Sequence, residues 1–201
     1  MRILFAPGCA LKKHRPASVL RIAQYLLEKG YADGIYLTCC KAGMHIDDDI
    51  QFINCCPGCN NHFTDISPRY SSVSLWTILK DSDFTFPDYK GEKMSIHDSC
   101  HSRNRNSSEF QDSARQICQR MNIELVEPLY TRDESHCCGG CAKDYETRKK
   151  MAIKRAEDFI MDDVVVYCTG CTRSFSLTDK NPRMLFDLLF NEPTTGLTVE
   201  H

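Results

Sequence analysis

Cys137-Cys138-Gly139-Gly140-Cys141 places three cysteines and two glycines on five consecutive residues. Glycine has no Cβ, so it adopts positive φ angles and lets another group approach the backbone closely. Thiolates crowded onto such a turn suit an iron–sulfur cluster or a soft metal ion better than they suit apolar packing. The segment therefore predicts a metal-binding turn whose remaining ligands come from elsewhere in the chain.

The same succession of cysteines occurs twice. Each half has one cysteine after a first predicted strand, a Cys-Cys pair after a second and a Cys-x-x-Cys motif after a third. Residues 56–63 also resemble residues 168–175, since Cys-Pro-Gly-Cys-Asn-Asn-His-Phe is matched by Cys-Thr-Gly-Cys-Thr-Arg-Ser-Phe. The repeated residues are Cys9, Cys39, Cys40, Cys56 and Cys59 in the first half, and Cys100, Cys137, Cys138, Cys168 and Cys171 in the second.

Short apolar segments that alternate with amphipathic ones predict an α/β fold. Parallel βα units joined by right-handed crossovers bring the carboxyl ends of all strands to one edge, where ligands bind in open sheets. We therefore expect the repeated cysteines to converge at that edge. The predicted strands cover 2–6, 34–38, 51–54, 93–97, 123–126 and 163–167, and the predicted helices include one starting near Pro16 and one over 144–161 that buries Ile160.

A polar segment over 81–93, with Pro87 and Gly91, is predicted to be a linker. It divides the chain into a first lobe at 1–90 and a second lobe at 93–201. A total of 201 residues is enough for two such lobes with a real core.

Composition narrows the class of protein. A net charge of −2 does not indicate a nucleic-acid partner, and no run approaches the roughly 20 apolar residues of a membrane span. The 13 cysteines could form the disulfide bonds of a secreted protein, but their odd number and the absence of a signal-peptide pattern argue against this. We expect a cytoplasmic protein whose clustered cysteines bind metal or carry out redox chemistry.

The doubled pattern of Cys, Cys-Cys-Gly and Cys-x-x-Cys resembles the cysteine-rich CCG domain family, which includes a cysteine-rich subunit of heterodisulfide reductase and the iron–sulfur subunits of glycolate and lactate oxidation systems. The resemblance implies two Rossmann-like lobes related by a pseudo-twofold axis, with small parallel sheets. It also implies a noncubane [4Fe-4S] cluster at the carboxyl ends of the strands in each lobe. The two clusters would face a shared cleft in which a disulfide is reduced.

The resemblance assigns one set of ligands to each lobe. Cys40 is followed by Lys41-Ala42-Gly43, and only 15 residues separate Cys40 from Cys56, so the first lobe is shortened and departs from the pattern. Its site could hold a cluster or zinc, or be empty. The implied ligands are Cys100, Cys137, Cys138, Cys168 and Cys171 in the second lobe, and Cys9, Cys39, Cys40, Cys56 and Cys59 in the first.

Other cysteines and several histidines lie near these motifs. Cys118 falls on the apolar stripe of a predicted helix and is interpreted as a core residue, and Cys55 is interpreted as structural. Cys141 is either a spare thiol or a zinc-type ligand. The leading candidates for a histidine that donates a hydrogen bond or a proton near the cysteines are His101 and His136, ahead of His62 and His97; alternatively, these residues only cap strands and loops.

Three functions are compatible with this pattern. The first is an iron–sulfur oxidoreductase subunit that reduces a small-molecule disulfide. Because no flavin or nucleotide motif occurs, its electrons would come from a ferredoxin-like or flavin subunit, and the chain is expected to be inactive alone. The second is an electron-transfer subunit of a dehydrogenase or quinone-linked complex without a substrate site. The third is a zinc-stabilised interaction module.

Overall fold

The computed structural model describes residues 1–38, 48–103 and 107–195, which form two consecutive α/β halves. The predicted α/β class is confirmed. In the first half the elements are β1 (Arg2–Ala6), α1 (Cys9–His14), α2 (Pro16–Glu28), β2 (Gly34–Ile35), β3 (Ile50–Asn54), α3 (Pro57–Ile66), β4 (Tyr70–Ser74) and α4 (Leu75–Lys80).

The second half repeats this order and has a long helix between its second and third strands, at the place where residues 39–47 of the first half lie outside the described part. Its elements are β5 (Glu92–His97), a 3₁₀ turn (Cys100–Arg103), α5 (Ser107–Arg120), β6 (Ile123–Val126), a second 3₁₀ turn (Arg132–Glu134), α6 (Tyr145–Ala156), β7 (Asp163–Val166), α7 (Thr169–Phe175), β8 (Asn181–Met184) and α8 (Leu185–Leu188).

Each half contains one four-stranded parallel sheet, and the two sheets have the same strand order. The first sheet runs β2-β1-β3-β4 and the second β6-β5-β7-β8. In the central pairs the strands end level with each other, since Ala6 pairs with Asn54 and His97 pairs with Val166. The cysteines that follow these strands therefore start from the same edge of each sheet, as expected for two Rossmann-like lobes.

One apolar core extends through both halves. Phe5 and Trp76 of the first half belong to the same buried cluster as Val165 and Phe186 of the second. A smaller cluster, which contains Phe52, covers the other face of the first sheet. Because the halves share their main core, the edges that carry the cysteines are held in a fixed relation to each other.

Polar contacts reinforce this junction. Arg15 forms a two-point ion pair with the fully buried Asp187, with distances of 2.7 and 3.1 Å. Arg120, at the end of α5, donates to the carbonyl oxygens of Leu79 and Ser82 at 3.0 and 2.7 Å.

Several predicted boundaries need correction. Helix α6 ends at Ala156 and not near residue 161, so Ile160 lies beyond it and is exposed. Strand β2 covers only Gly34–Ile35. The predicted shortening of the first lobe between Cys40 and Cys56 falls between β2 and β3, where residues 39–47 lie outside the described part. None of the helices in the described ranges has the length and apolar character needed to cross a bilayer.

Candidate metal centre

Seven cysteine sulfurs form a continuous series of contacts along the carboxyl edges of the two sheets. The Sγ atoms of Cys100 and Cys137 are 3.8 Å apart, as are those of Cys56 and Cys168. The second of these contacts joins the two halves. Hydrogen-bonding contacts between thiols complete a series that runs in the order Cys59, Cys56, Cys168, Cys171, Cys138, Cys137 and Cys100.

The two Cys-x-x-Cys motifs have the same local structure. Cys56 directly precedes α3 with φ −133° and ψ 130°, and Cys168 directly precedes α7 with φ −134° and ψ 126°. In both cases the second cysteine lies in the first turn of the helix. The similarity between residues 56–63 and 168–175 thus reflects one strand-to-helix turn used twice.

The turn formed by Cys137-Cys138-Gly139-Gly140, called the CCG turn below, depends on its glycines for close packing. Gly139 has φ +77°, and a Cβ there would lie 2.9 Å from the Arg148 carbonyl oxygen. A Cβ on Gly140 would lie 2.9 Å from the Gly170 carbonyl oxygen. The glycines therefore dock this turn onto α6 on one side and the second Cys-x-x-Cys motif on the other. Its backbone also contacts sulfur, because the Gly139 N–H donates to Cys137 Sγ at 3.4 Å.

In the first half the described part of the candidate site contains three of the five predicted cysteines. Cys9 begins α1 and is exposed, whereas Cys56 and Cys59 are half-buried. Gly8 has φ +85°, and a Cβ there would lie 3.3 Å from Cys59 Sγ. Cys39 and Cys40 lie outside the described residues.

A cavity of about 510 Å³ opens between the halves at this edge. Its walls contain cysteines from both halves, together with His62 and His101. The lining cysteines are Cys9, Cys55, Cys56, Cys59, Cys100, Cys138, Cys141, Cys168 and Cys171. The site is therefore a sulfur-lined pocket with access to solvent.

Contacts between thiols lower the pKa of two second-half cysteines and raise the pKa of the other three. Hydrogen bonds from the Cys100 and Cys138 thiols lower the pKa of Cys137, and hydrogen bonds from Cys171 and Cys56 lower the pKa of Cys168. The same contacts, together with burial, raise the pKa of Cys100, Cys138 and Cys171. The thiols whose pKa is raised have to lose their protons before they can bind metal.

A buried polar network fixes the loop that precedes Cys100. Asp98 is fully buried and accepts from both Nη atoms of Arg115, at 3.0 and 2.8 Å, and from the Tyr167 hydroxyl at 2.7 Å. The next residue, Ser99, hydrogen-bonds the Cys168 sulfur. These residues were not singled out from the sequence, although the polar pair Asp98-Ser99 directly precedes a ligand candidate.

His97 and Arg155 form a second buried pair behind the cysteines. Arg155 Nε donates to His97 Nδ1 at 3.3 Å, and the other ring nitrogen of His97 is buried without a hydrogen-bond partner. Burial and the nearby Arg155 charge lower the pKa of His97 to about 3. The sequence places Arg155 in a basic run that usually forms a solvated helix face, yet its side chain is fully buried. The sequence does not indicate that His97 and Arg155, 58 positions apart, are in contact.

The two leading histidine candidates occupy different environments. His101 Nε2 lies 3.2 Å from Cys141 Sγ, and these atoms and Cys100 Sγ all lie within 4.8 Å of one another. The ring of His136 instead lies beside Tyr130 and within 3.3 Å of an Asp158 carboxylate oxygen. His101 is therefore at the cavity, whereas the ring contacts of His136 are with Tyr130 and Asp158.

The remaining cysteines are placed as follows. Cys118 and Cys55 are buried within the apolar core, and burial raises the pKa of both thiols. Cys55 also contributes to the cavity wall, and Cys141 is exposed at its rim. All eleven cysteines in the described ranges are free of disulfide bonds.

The chemistry of this donor set fits a soft metal ion or an iron–sulfur cluster. Thiolate sulfur is the ligand such groups prefer, and the second half provides five sulfurs, of which those of Cys138 and Cys171 lie within 4.8 Å of a ring nitrogen of the buried His97. The clustered cysteines can therefore hold metal.

Comparison with protein-family models gives a match in the second half. Residues 94–176 match the family model of the CCG cysteine-rich domain. This segment contains all five repeated cysteines of the second half. The comparison with curated proteins gave no match. Residues 94–176 are thus similar to the cysteine-rich domain of the CCG family.

Proposed function

We propose that this protein is an iron–sulfur redox subunit that reduces a small-molecule disulfide, in the manner of the cysteine-rich subunit of heterodisulfide reductase. The observation that carries the proposal is the series of seven sulfurs that passes from one half to the other beside a solvent-accessible cavity. A purely structural metal site needs four ligands and no cavity.

The second half supplies the cofactor site in this proposal. Its five sulfurs would hold a noncubane [4Fe-4S] cluster, which when bound supplies electrons one at a time. The ligands would be Cys100, Cys137, Cys138, Cys168 and Cys171. In the first half Cys9, Cys56 and Cys59, together with Cys39 and Cys40, would hold a second cluster or zinc.

The cavity supplies the substrate site. Cleavage of a disulfide consumes two electrons and two protons and releases two thiols. The electrons would come from a flavin or ferredoxin-like partner polypeptide. His101 Nε2, which is 3.2 Å from Cys141 Sγ at the cavity, is placed to deliver a proton to a departing thiolate.

The test is metal analysis and an assay on the full chain purified without oxygen. We expect iron and acid-labile sulfide, sulfur-to-iron absorption in the visible region, and thiol release when a chemically reduced viologen dye and a small disulfide are supplied. Colourless protein with stoichiometric zinc and no iron would contradict the proposal and support the interaction module. Bound iron that passes electrons to a quinone, with no disulfide cleavage, would support the electron-transfer subunit.

A further inference from the structure

The unpartnered nitrogen of His97 lies among the cysteines of the second half. His97 is the last residue of β5, and its side chain is buried with an exposed fraction of 1%. Its Nε2 atom has no hydrogen-bond partner. A ring nitrogen of His97 lies within 4.8 Å of the Sγ atoms of Cys138 and Cys171. A nitrogen in this position can bind a metal directly or donate a hydrogen bond to sulfur.

Arg155 distinguishes between these two roles. Its Nε–H points at His97 Nδ1 at 3.3 Å, and a guanidinium can only donate. Nδ1 must therefore present its lone pair, and the ring proton of the neutral imidazole resides on Nε2. Arg155 cannot turn away easily, because it also donates to Asp158 at 2.7 Å and to the Tyr130 carbonyl oxygen at 2.8 Å.

A metal ion bound to Nε2 would require the opposite tautomer. The proton would then sit on Nδ1 and face the Arg155 N–H, so that two donors would oppose each other in a buried site. Histidine ligands of metals instead donate their second N–H to a carboxylate, a carbonyl oxygen or water. The surroundings of His97 provide a donor at that position and thus disfavour ligation.

We propose that, when these cysteines hold a cluster, His97 donates its Nε2–H to sulfur at the Cys138 and Cys171 ligands and thereby raises the reduction potential of the second-half cluster. This inference rests on the proposed function in that these cysteines hold iron. A hydrogen bond to cluster or ligand sulfur stabilises the reduced, more negative state. His97 acts through the ligands and is a positioning residue, not a catalytic one.

Among the described residues, the corresponding strand end of the first half lacks this donor. Ala6 ends β1 three residues before Cys9, just as His97 ends β5 three residues before Cys100. The corresponding position beside the first-half cysteines therefore carries a methyl group. The effect of His97 is confined to one of the two sites.

The test compares His97→Leu and His97→Gln with the wild-type full chain. We expect both variants to retain iron and sulfide, because no ligand is removed. The reduction potential from an anaerobic redox titration should be lower in His97→Leu, with a smaller change in His97→Gln, whose amide keeps an N–H. A tenfold fall in the equilibrium constant for one-electron reduction corresponds to about 59 mV.

His14→Gln is the control, because His14 is the last residue of α1 in the first half and is not part of the His97–Arg155 pair; its potential should equal that of the wild type. An unchanged potential in His97→Leu would overturn the inference while leaving the iron assignment intact. Iron-free wild-type protein would instead overturn the proposed function.

Wild-type protein provides a second measurement if His97→Leu fails to fold. Pulsed electron paramagnetic resonance of a paramagnetic state, with ¹⁵N-histidine and D₂O exchange, should detect an exchangeable proton near the cluster and only weak nitrogen coupling. Strong nitrogen coupling, as for a directly bound imidazole, would show that His97 is a ligand and that the inference is wrong.

Discussion

Two fully buried cysteines in the second half have opposite surroundings. Cys138 has an exposed fraction of 1% and Cys118 of 0%, so burial alone does not separate a ligand from a core residue. Cys138 contacts the sulfurs of Cys137 and Cys171, whereas Cys118 lies on α5 within the apolar core. The neighbours of each thiol, and not its accessibility, indicate its role.

Substitution at these two positions should separate the roles. Cys138→Ser should abolish most iron binding in the second half, because a hard hydroxyl oxygen replaces a soft thiolate. Cys118→Ala should leave the iron content unchanged and lower the free energy of unfolding by about 1 kcal/mol, the cost of a small cavity. Iron analysis and urea unfolding measure both effects. Full iron retention in Cys138→Ser would contradict the ligand assignment.

The protonation of the thiols should make metal binding depend on pH. Burial and thiol contacts raise the pKa of Cys100, Cys138 and Cys171, so these groups are neutral at pH 7 in the metal-free protein. Each must lose its proton to become a ligand, and raising the pH therefore favours binding. Cobalt(II) titrations of metal-free protein, followed by thiolate-to-cobalt absorption, should give tighter binding at pH 8 than at pH 6. An affinity that does not change with pH would show that the ligands are already ionised.

At the scale of the element, the CCG turn is shaped by what it packs against. Gly139 and Gly91 have nearly the same backbone conformation, with φ +77° and +79°. A Cβ on Gly91 would meet nothing within 4 Å, whereas one on Gly139 would collide with the Arg148 carbonyl oxygen and the Met151 Cβ. Alanine substitutions at these two glycines therefore distinguish the energetic cost of the left-handed conformation from that of steric overlap.

Gly139→Ala should accordingly be much more damaging than Gly91→Ala. Both substitutions incur the roughly 1–2 kcal/mol cost of an L-residue in this conformation. Only Gly139→Ala should also displace the turn from α6, separate the sulfurs of Cys137 and Cys138 from their neighbours and lower iron binding. Urea unfolding and iron content measure the difference. Equal stability and equal iron content in the two variants would indicate that α6 shifts to accommodate the added methyl group.

The two strands whose bounds were not predicted from the sequence, β4 and β8, both lie at an edge of their sheet, as do β2 and β6, which were predicted. The central strands β1, β3, β5 and β7 each have consecutive buried positions, because both of their faces are covered. The edge strands β4 and β8 read Tyr-Ser-Ser-Val-Ser and Asn-Pro-Arg-Met. Edge strands tolerate polar residues and proline, so they give little hydrophobic signal.

The sequence predicted part of the candidate site. Its cysteines follow the central strands, and parallel topology brings such strand ends together, so the convergence of the second-half sulfurs follows from spacing. The 3.8 Å contact between Cys56 and Cys168 and the pairing of His97 with Arg155 join residues 112 and 58 positions apart. These contacts depend on how the two halves and α6 pack, which no local pattern encodes.

At the scale of the whole molecule, the two halves are two sheets but share one main core. Helices α4 and α5 pack across the junction, where the buried Trp76 belongs to the same cluster as Ile117 and Cys118. Thr77 and Ser113 hydrogen-bond at 3.2 Å, and the Arg120 guanidinium lies 4.4 Å from the centroid of the Phe86 ring. Separation of the halves would expose this apolar surface to water, at about 25 cal/mol for each Å².

We therefore predict that residues 93–201 do not fold cooperatively when produced alone, although they contain the complete CCG family match. The isolated half should show a poorly dispersed NMR spectrum and little iron binding. Co-production with residues 1–92 should restore both, because the junction then forms between two chains. The intact chain is the reference for both measurements. A 93–201 fragment that folds and binds iron alone would contradict this prediction. The two halves would then be independent domains, and their shared core would only fix how they are arranged.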